Sequence, residues 1–377
     1  MLMLEHEGKR LLASLGVAVP DGKLMTSRTI TQVAKTVESF PVAVKAQVRS
    51  GGRGKQGGVQ KCADFEQLVA VSRKLFRKSF GGEKPEALLV EPWLPIDREA
   101  YLSVTIDGRA EGYVVMYAPR GGIDIEDGPP PARYPVGLPW KFRIHEMRKV
   151  LKEVEPDYQW REKVLALSQR LVRAAAAHDC TTIEINPLIR LADGSLVAGD
   201  AKIVRDEWAT FRNTEIKAMK EADINRAEPL LRDCLNMQHM HVSLDGDIGL
   251  ISGGAGMTMG AMDMIAEQGG KPACFLDCSP GPTSTRGYRP AIVMLDADPK
   301  IKVILVSVFG GGTQMQRVAN SMKELMAERT SNKPIVFRLD GTNVDQVPGI
   351  FSEFGAHNHA RLEDAVAEAV KLAKEAK

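Results

Sequence analysis

The chain has 377 residues, of which 44% are hydrophobic and 26% charged, and this length predicts two or three domains with sizeable cores. Its 50 basic and 48 acidic residues leave a formal net charge of +2, which excludes a strongly basic nucleic-acid binder and a protein held at membranes by charge. The five cysteines form no CxxC pair and no apolar run approaches a membrane-spanning length, so we expect reduced thiols in a cytoplasmic protein, with a mitochondrial matrix also open.

A glycine-rich segment follows the first long predicted strand. Residues 42–48 show the β-branched alternation of a strand and run into Gly51–Gly58, which contains GxGxxG. A dinucleotide-binding fold needs a helix to open on those glycines, whereas residues 59–62 predict another strand. This order of a strand, a glycine-rich turn and a second strand predicts a hairpin loop. Such a loop can hold phosphates through backbone N–H groups and through its Arg and Lys side chains. A flexible basic surface hairpin is the alternative.

The rest of the first half predicts an antiparallel meander accompanied by helices. Strands are predicted at residues 87–93, 99–108 and 112–118, helices at 6–15, from Asp64, at 149–154 and at 161–177, and a proline-containing loop at 123–137.

Oxygen-bearing side chains then mark two neighbouring strands. Residues 182–189 and 196–202 predict strands joined by a tight turn. Glu184 and Asn186 belong to the first and Asp200 to the second. Carboxylate and amide oxygens suit Mg²⁺, which takes few protein ligands plus phosphate oxygens. Together with the upstream loop, the pattern predicts a nucleotide–magnesium site.

The second half has the rhythm of βαβ units and a parallel sheet. After a charged stretch at 214–233, which we interpret as a connector, strands are predicted at 248–252, 273–276, 303–309 and 335–339. Glycine turns at 253–256 and 310–312 each precede a predicted helix, at 257–267 and 313–328. Two helix N-termini at the carboxyl edge of one sheet predict an anion site, although tight turns without a ligand look the same.

These motifs together resemble the beta subunits of succinate–CoA ligases. The similarity lies in KAQVRSGGRGK (residues 45–55), EINPL (184–188), DAK (200–202) and LDGDIG (244–249), and continues through RLDGTN (338–343). The resemblance implies a combined α/β and α+β fold, with an ATP-grasp domain at residues 1–226 and a flavodoxin-like CoA-ligase domain at 240–377. It implies ATP, Mg²⁺, CoA and a carboxylate, with acyl phosphate and then acyl-CoA as products.

The resemblance also implies roles for individual residues. Lys45 would contact the nucleotide phosphates under a loop of Gly52, Arg53 and Gly54, and the adenosine pocket would include Glu91, Leu94 and Glu99. Mg²⁺ would bind to Asn186 and Asp200. The carboxylate substrate would contact Gly253, Gly311, Gly312 and Thr313. In the family the phosphoryl group is relayed on a histidine of an alpha subunit, and none of this chain's seven histidines lies in such a glycine-rich loop. We therefore expect an alpha-type partner that binds most of the CoA, in an αβ or α₂β₂ assembly.

The substrate end departs from the family pattern. Gly253 stands where succinate–CoA ligases have asparagine, Ser279–Thr283 replaces a Gly-Gly-Gly-Ala-Thr loop, and Gly311–Gln314 does not continue into Ile-Val-Arg. These changes favour an acid other than succinate, bulkier or hydroxylated, such as malate. Unchanged specificity is the alternative.

Other functions fit parts of the pattern. One is the small subunit of a citrate–CoA ligase or ATP-citrate lyase, and another is a carboxylate–amine ligase, which has no need of the second domain. A non-catalytic regulatory subunit would have no need for both a phosphate clamp and metal ligands. Pro20 resembles the ATP-preferring members more than the GTP-preferring ones.

Overall fold

The computed structural model describes residues 1–49, 52–122, 128–278 and 285–376, leaving aside the side chains of Thr285 and Arg286. Gly51 and the predicted substrate loop Ser279–Thr283 lie outside these ranges. The chain forms two compact units, residues 1–220 and 221–377. Within the described ranges, none of the helices combines the length and apolar composition needed to cross a membrane.

The described strands of the first unit form two antiparallel sheets. One contains β1 (Lys23–Met25), β2 (Val42–Gln47), β3 (Val59–Cys62) and β4 (Ala87–Pro92), in the order β1-β4-β2-β3. The other contains β5 (Ile96–Asp107), β6 (Gly112–Ala118), β7 (Ala132–Gly137), β8 (Cys180–Leu191), β9 (Leu196–Ala198) and β10 (Lys202–Arg205), in the order β10-β8-β5-β6-β7, with β9 paired to β8. The helices are α1 (Glu5–Ser14), α2 (Ile30–Ala34), α3 (Phe65–Arg77), α4 (Ile144–Val154) and α5 (Tyr158–Ala177).

Local signals in the sequence explain several of these elements. Asp64 caps α3 as predicted, because its carboxylate accepts the Gln67 backbone N–H at 2.8 Å. Asp157 caps α5 in the same way through the Trp160 N–H, at 3.1 Å. The buried faces of these helices pack on separate cores, α3 on the first sheet and α5 on the second.

Two segments for which the sequence predicts irregular structure contain regular elements. The sequence predicts a loop at residues 123–137, of which 123–127 lie outside the described residues, and β7 occupies the end of that range. Pro135 is tolerated there because β7 is an edge strand, where a missing N–H breaks no ladder on the open side. The expected connector at 214–233 contains α6 (Thr214–Arg226) and α7 (Pro229–Asn236). Helix α6 buries only Ile216, so it has no apolar stripe that would predict a helix.

The second unit is a parallel sheet with one antiparallel edge strand. Its strands are β11 (Met240–Ser243), β12 (Ile248–Ser252), β13 (Cys274–Asp277), β14 (Val303–Gly310) and β15 (Ile335–Gly341), in the order β11-β13-β12-β14-β15. Its remaining helices are α8 (Ala255–Glu267), α9 (Thr285–Ala297), α10 (Met315–Glu328), α11 (Val347–Ser352) and α12 (Leu362–Glu375).

The parallel strands β12 to β15 are ordered second, first, third, fourth, which is the doubly wound flavodoxin arrangement. Apolar cores lie on both faces of this sheet, one with α9 and α10 and the other with α8 and α12. The predicted fold class is therefore confirmed. Strand β11, which pairs antiparallel with β13, had no strand signal strong enough to be predicted.

Gly341 packs tightly against the backbone at the start of the second glycine turn. Its φ is +125°, and a Cβ there would lie 2.2 Å from the Gly310 carbonyl oxygen, which is backbone that has no room to yield. We expect Gly341→Ala to lower the free energy of unfolding by about 3 kcal/mol, measured by urea titration. Gly349→Ala in α11 is the matched control, since a Cβ there meets no atom within 4 Å. Equal stability of the two variants would contradict the packing described.

Candidate functional site

The first unit contains a cavity of about 720 Å³ lined by residues from both of its sheets. This volume lies within the range of roughly 300–1,000 Å³ that is usual for small-molecule and cofactor sites. The lining includes every residue predicted for the nucleotide and the metal, namely Lys45, Gly52, Arg53, Gly54, Glu91, Leu94, Glu99, Asn186 and Asp200. The structure thus brings together residues that are spread over more than 150 positions of the chain.

Lys45 enters the cavity from β2 and is surrounded by acceptors. Its Nζ lies 2.9 Å from Glu5 Oε1, 2.8 Å from Glu91 Oε2 and 2.7 Å from the Gly199 carbonyl oxygen. The antiparallel register of β2 and β4 places Lys45 and Glu91 diagonally on one face of the sheet. Burial alone would lower the pKa of Lys45, but Glu5, Glu91 and Asp200 outweigh burial and raise it. The side chain is therefore a permanent cation.

Arg53 reaches the same place from the glycine-rich loop. Gly58 N–H donates to the Arg53 carbonyl at 2.7 Å, which closes the turn. The Arg53 Nη1 donates to the Ala46 carbonyl at 2.8 Å. The Arg53 Nη2 contacts Glu5 and lies 3.1 Å from Asp200 Oδ2. The two carboxylates outweigh the effect of burial and raise the pKa of Arg53. A second fixed cation thus lies beside Lys45.

Glu5 and Lys9, which sequence reasoning missed, complete this arrangement. Both lie on α1 and are buried, with 3% and 4% of their surfaces exposed. Lys9 Nζ contacts Glu5 Oε1 at 2.8 Å and Glu91 Oε1 at 2.5 Å. Burial would raise the pKa of Glu5, but Lys45, Lys9 and Arg53 outweigh it and hold the pKa well below its ordinary value. The signal in the sequence is an i, i+4 acid–base pair, which usually indicates a solvent-exposed helix face.

We call this group the ion cluster. It consists of the carboxylates Glu5, Glu91 and Asp200 and the cations Lys9, Lys45 and Arg53.

The hairpin of β8 to β10 places Asn186 and Asp200 together. Strand β9 pairs with β8 as far as Ala198, and pairing resumes at Lys202 opposite Glu184. The register is the same on both sides of this gap, so Asp200 lies across from Asn186. Glu184 also lines the cavity.

The oxygen donors at this end fit a hard cation. Among the described residues there is no group of three or more His, Cys, Asp or Glu side chains arranged for a metal. Asn186 Oδ1 accepts the Gly122 N–H at 2.7 Å, and the Asp200 side chain is 34% exposed. One amide and one carboxylate oxygen suit Mg²⁺ only when phosphate and water oxygens supply the remaining ligands.

Apolar side chains also line the cavity. Leu94 and Trp93 lie in the segment that joins β4 to β5, and Ile96 is the first residue of β5. Glu99 is half-buried, and burial raises its pKa. The Glu91 carboxylate, by contrast, forms ion pairs with Lys9 and Lys45. Of the three residues predicted for adenosine, Glu91 therefore presents its side chain to the ion cluster.

The residues predicted for the carboxylate lie in the second unit. Strands β12 and β14 are neighbours with Ser252 opposite Ser307, so the turns that follow them meet at one edge of the sheet. A Cβ on Gly253 would meet only Val308 Cγ1, at 3.7 Å, and one on Gly311 or Gly312 would meet nothing within 4 Å. Thr313 follows directly in the second turn. The structure thus brings these four residues to a single edge with exposed backbone.

Comparison with known proteins agrees with this architecture. Residues 2–190 match the ATP-grasp domain and residues 251–377 the CoA-ligase domain. The chain is 35% identical to the succinate–CoA ligase [ADP-forming] subunit beta of Ignicoccus hospitalis and 33% identical to subunit beta 2 of Archaeoglobus fulgidus, each alignment spanning 100% of both chains.

A solved structure of ATP citrate lyase from Methanothrix soehngenii, in complex with citrate and coenzyme A, has a TM-score of 0.75 and 16% identity, covering 98% of this chain and 99% of that one. At this identity the likeness concerns the fold alone. The sequence relatives decide the family: the chain belongs to the beta subunits of ADP-forming succinate–CoA ligases, carboxylate–CoA ligases that use ATP and CoA.

Proposed function

We propose that the chain is the nucleotide-binding subunit of a ligase that activates a dicarboxylate with ATP. The phosphoryl group passes to a histidine of an alpha-type partner and then to the carboxylate, and CoA displaces phosphate from the acyl phosphate. The observation that carries this proposal is the cavity that gathers Lys45, Arg53, Asn186 and Asp200. No histidine is among the described residues that line it, which supports a partner histidine.

Lys45 and Arg53 bind the phosphates of the nucleotide. Two adjacent permanent cations in a partly buried site stabilise the charge that spreads over the phosphoryl oxygens during transfer. Gly52 and Gly54 flank Arg53 and let the loop backbone approach the phosphates closely. Leu94, with Trp93 beside it, supplies the apolar surface on which the adenine lies.

Asn186 and Asp200 are the residues that would hold Mg²⁺. When bound, the ion neutralises phosphate oxygens and orients them for in-line transfer. Asp200 is suited to this role because its carboxylate is the exposed member of the ion cluster, at 34% of its side-chain surface.

The domain limits at residues 226 and 240 remain predictions. The archaeal origin of the curated relatives supports a cytoplasmic location.

The carboxylate binds at the glycine turns of the second unit, and Gly253 makes room for an acid larger than succinate. The surroundings of Gly253 support this, since an added Cβ there would meet only Val308 Cγ1, at the ordinary contact distance of 3.7 Å. The likeness to ATP citrate lyase supports the fold and says nothing about citrate as the substrate of this chain.

The metal role is tested with Asp200→Ala in the chain co-purified with its alpha-type subunit. We expect acyl-CoA formation to fall by roughly 100-fold or more, because a ligand of the charge-neutralising metal is lost. Assembly with the partner should persist. Asp193→Ala is the control, since Asp193 lies in an exposed turn outside the cavity. Unchanged turnover in Asp200→Ala would favour a non-catalytic regulatory subunit.

The substrate is tested with a panel of succinate, malate and citrate in the same complex. We expect the wild type to prefer a hydroxylated or bulkier acid, and Gly253→Asn to shift kcat/KM about tenfold towards succinate by filling the space. Gly260→Asn in α8 is the control, because a Cβ there meets no atom within 4 Å and lies away from the turn. A clear wild-type preference for succinate would refute the altered specificity, and citrate-dependent ADP release would indicate a citrate-activating enzyme.

A further inference from the structure

The phosphate end of the cavity holds a carboxylate that the proposed function does not use. Glu5 is the first residue of α1, and its side chain is 1% exposed. Its Oε1 accepts from Lys9 and Lys45 at 2.8 and 2.9 Å. Its Oε2 accepts from Arg53 and, at 3.5 Å, from Gln47. Both oxygens therefore face the cations that we assign to the phosphates.

The formal charges of the ion cluster cancel, since it has three cations and three carboxylates. An ammonium group has three N–H donors, and Lys45 has three acceptors within 2.9 Å. A phosphate oxygen that binds Lys45 has to compete with these acceptors. The ion cluster by itself thus combines fixed cations with little net attraction for an anion.

Asp200 is the member of the ion cluster that can be drawn away. Its side chain is 34% exposed, against 1% for Glu5 and 2% for Glu91, and Arg53 Nη2 lies 3.1 Å from its nearer oxygen. A divalent cation that takes the Asp200 oxygens releases the Arg53 N–H groups. Without the charge of Asp200 the rest of the ion cluster is positive, so phosphate is attracted only once the cation has bound.

We propose that Glu5 is a positioning residue that makes phosphate binding in this cavity depend on a divalent cation. It holds the Lys45 ammonium and the Arg53 guanidinium side by side and cancels their charge until Asp200 exchanges Arg53 for the cation. This inference rests on the proposed function, because it takes the ligand to be a nucleotide bound together with a divalent cation.

This role of Glu5 predicts that its charge affects the binding of metal-free ADP more than the binding of Mg-ADP. Metal-free ADP is more negative than its Mg²⁺ complex by the charge of the ion, and Coulomb energy scales with the ligand charge. Removing the charge of Glu5 therefore favours metal-free ADP more than Mg-ADP. Removing the charge of Lys9 has the opposite effect, and Lys9 does not line the cavity, so it acts on the ligand through the field alone.

The experiment is isothermal titration calorimetry of ADP against the full chain in complex with its alpha-type subunit, with excess Mg²⁺ and with EDTA. The quantity compared is Kd in EDTA divided by Kd in Mg²⁺. We expect Glu5→Gln to lower this ratio about tenfold and Lys9→Met to raise it, since the two changes alter the site charge in opposite directions. Glu5→Asp keeps the charge, so its ratio should stay near that of the wild type even if both affinities fall.

A purely structural role for Glu5 weakens both affinities equally and leaves the ratio of Glu5→Gln unchanged, which would overturn the proposal. A shift in the same direction for Glu5→Gln and Lys9→Met would also overturn it. If Glu5→Gln does not fold, Lys9→Met decides alone, and an unchanged or lower ratio refutes the idea. A wild type that binds no ADP under either condition refutes the proposed function itself.

Discussion

The first unit depends on the ion cluster, because buried charges are tolerated in a protein only when every member is paired. Taking one ion out of water costs several kcal/mol, and removing one partner of a buried pair costs about 3–5 kcal/mol. The ion cluster joins α1, β2, β4, the glycine-rich loop and the end of the β9 segment. It therefore aligns the two sheets at the point where the cavity opens, and the same contacts that stabilise the fold give the cavity its chemistry.

The second constraint is the register of the hairpin from β8 to β10. Ala198 pairs with Leu188 and Lys202 with Glu184, so the register with β8 is the same on both sides of the gap between β9 and β10. Asp200 therefore lies opposite Asn186, on the same face of the hairpin as Glu184. The backbone remains satisfied there, since Gly199 N–H donates to the Pro187 carbonyl at 2.9 Å and its own carbonyl accepts from Lys45. The regular register of the hairpin thus brings the oxygen donors to one side of the cavity.

Much of this could be predicted from the sequence where the signal is local. The alternation of β2, the cap at Asp64 and the apolar runs of β12 and β14 all have short-range causes, and each element lies where its pattern predicts. The motifs also named residues that line one cavity, although their roles in binding remain predictions.

The features that could not be predicted depend on contacts between residues far apart in the sequence or on the position of a strand in its sheet. A buried Glu5–Lys9 pair looks like a surface pair until Lys45 and Glu91 are folded against it. Pro135 argues against a strand unless the strand is known to lie at an edge. The family resemblance implies that Glu91 lines the adenosine pocket, whereas the direction of its carboxylate depends on Lys9 and Lys45, partners from two other elements.

The contacts at the start of the chain have a consequence for synthesis. The Met3 N–H donates to the Ile203 carbonyl at 2.9 Å, and Lys45 donates to a carbonyl 154 positions later. A ribosome releases residues at about 5–20 per second, so α1 and β2 emerge many seconds before the segment that they need. During that interval Lys9 and Lys45 can pair with Glu5 and Glu91, but Arg53 lacks Asp200 and Lys45 lacks the Gly199 carbonyl. The cavity is thus among the last parts of the first unit to close, and a nascent chain stalled before residue 199 lacks both Asp200 and the carbonyl that Lys45 contacts.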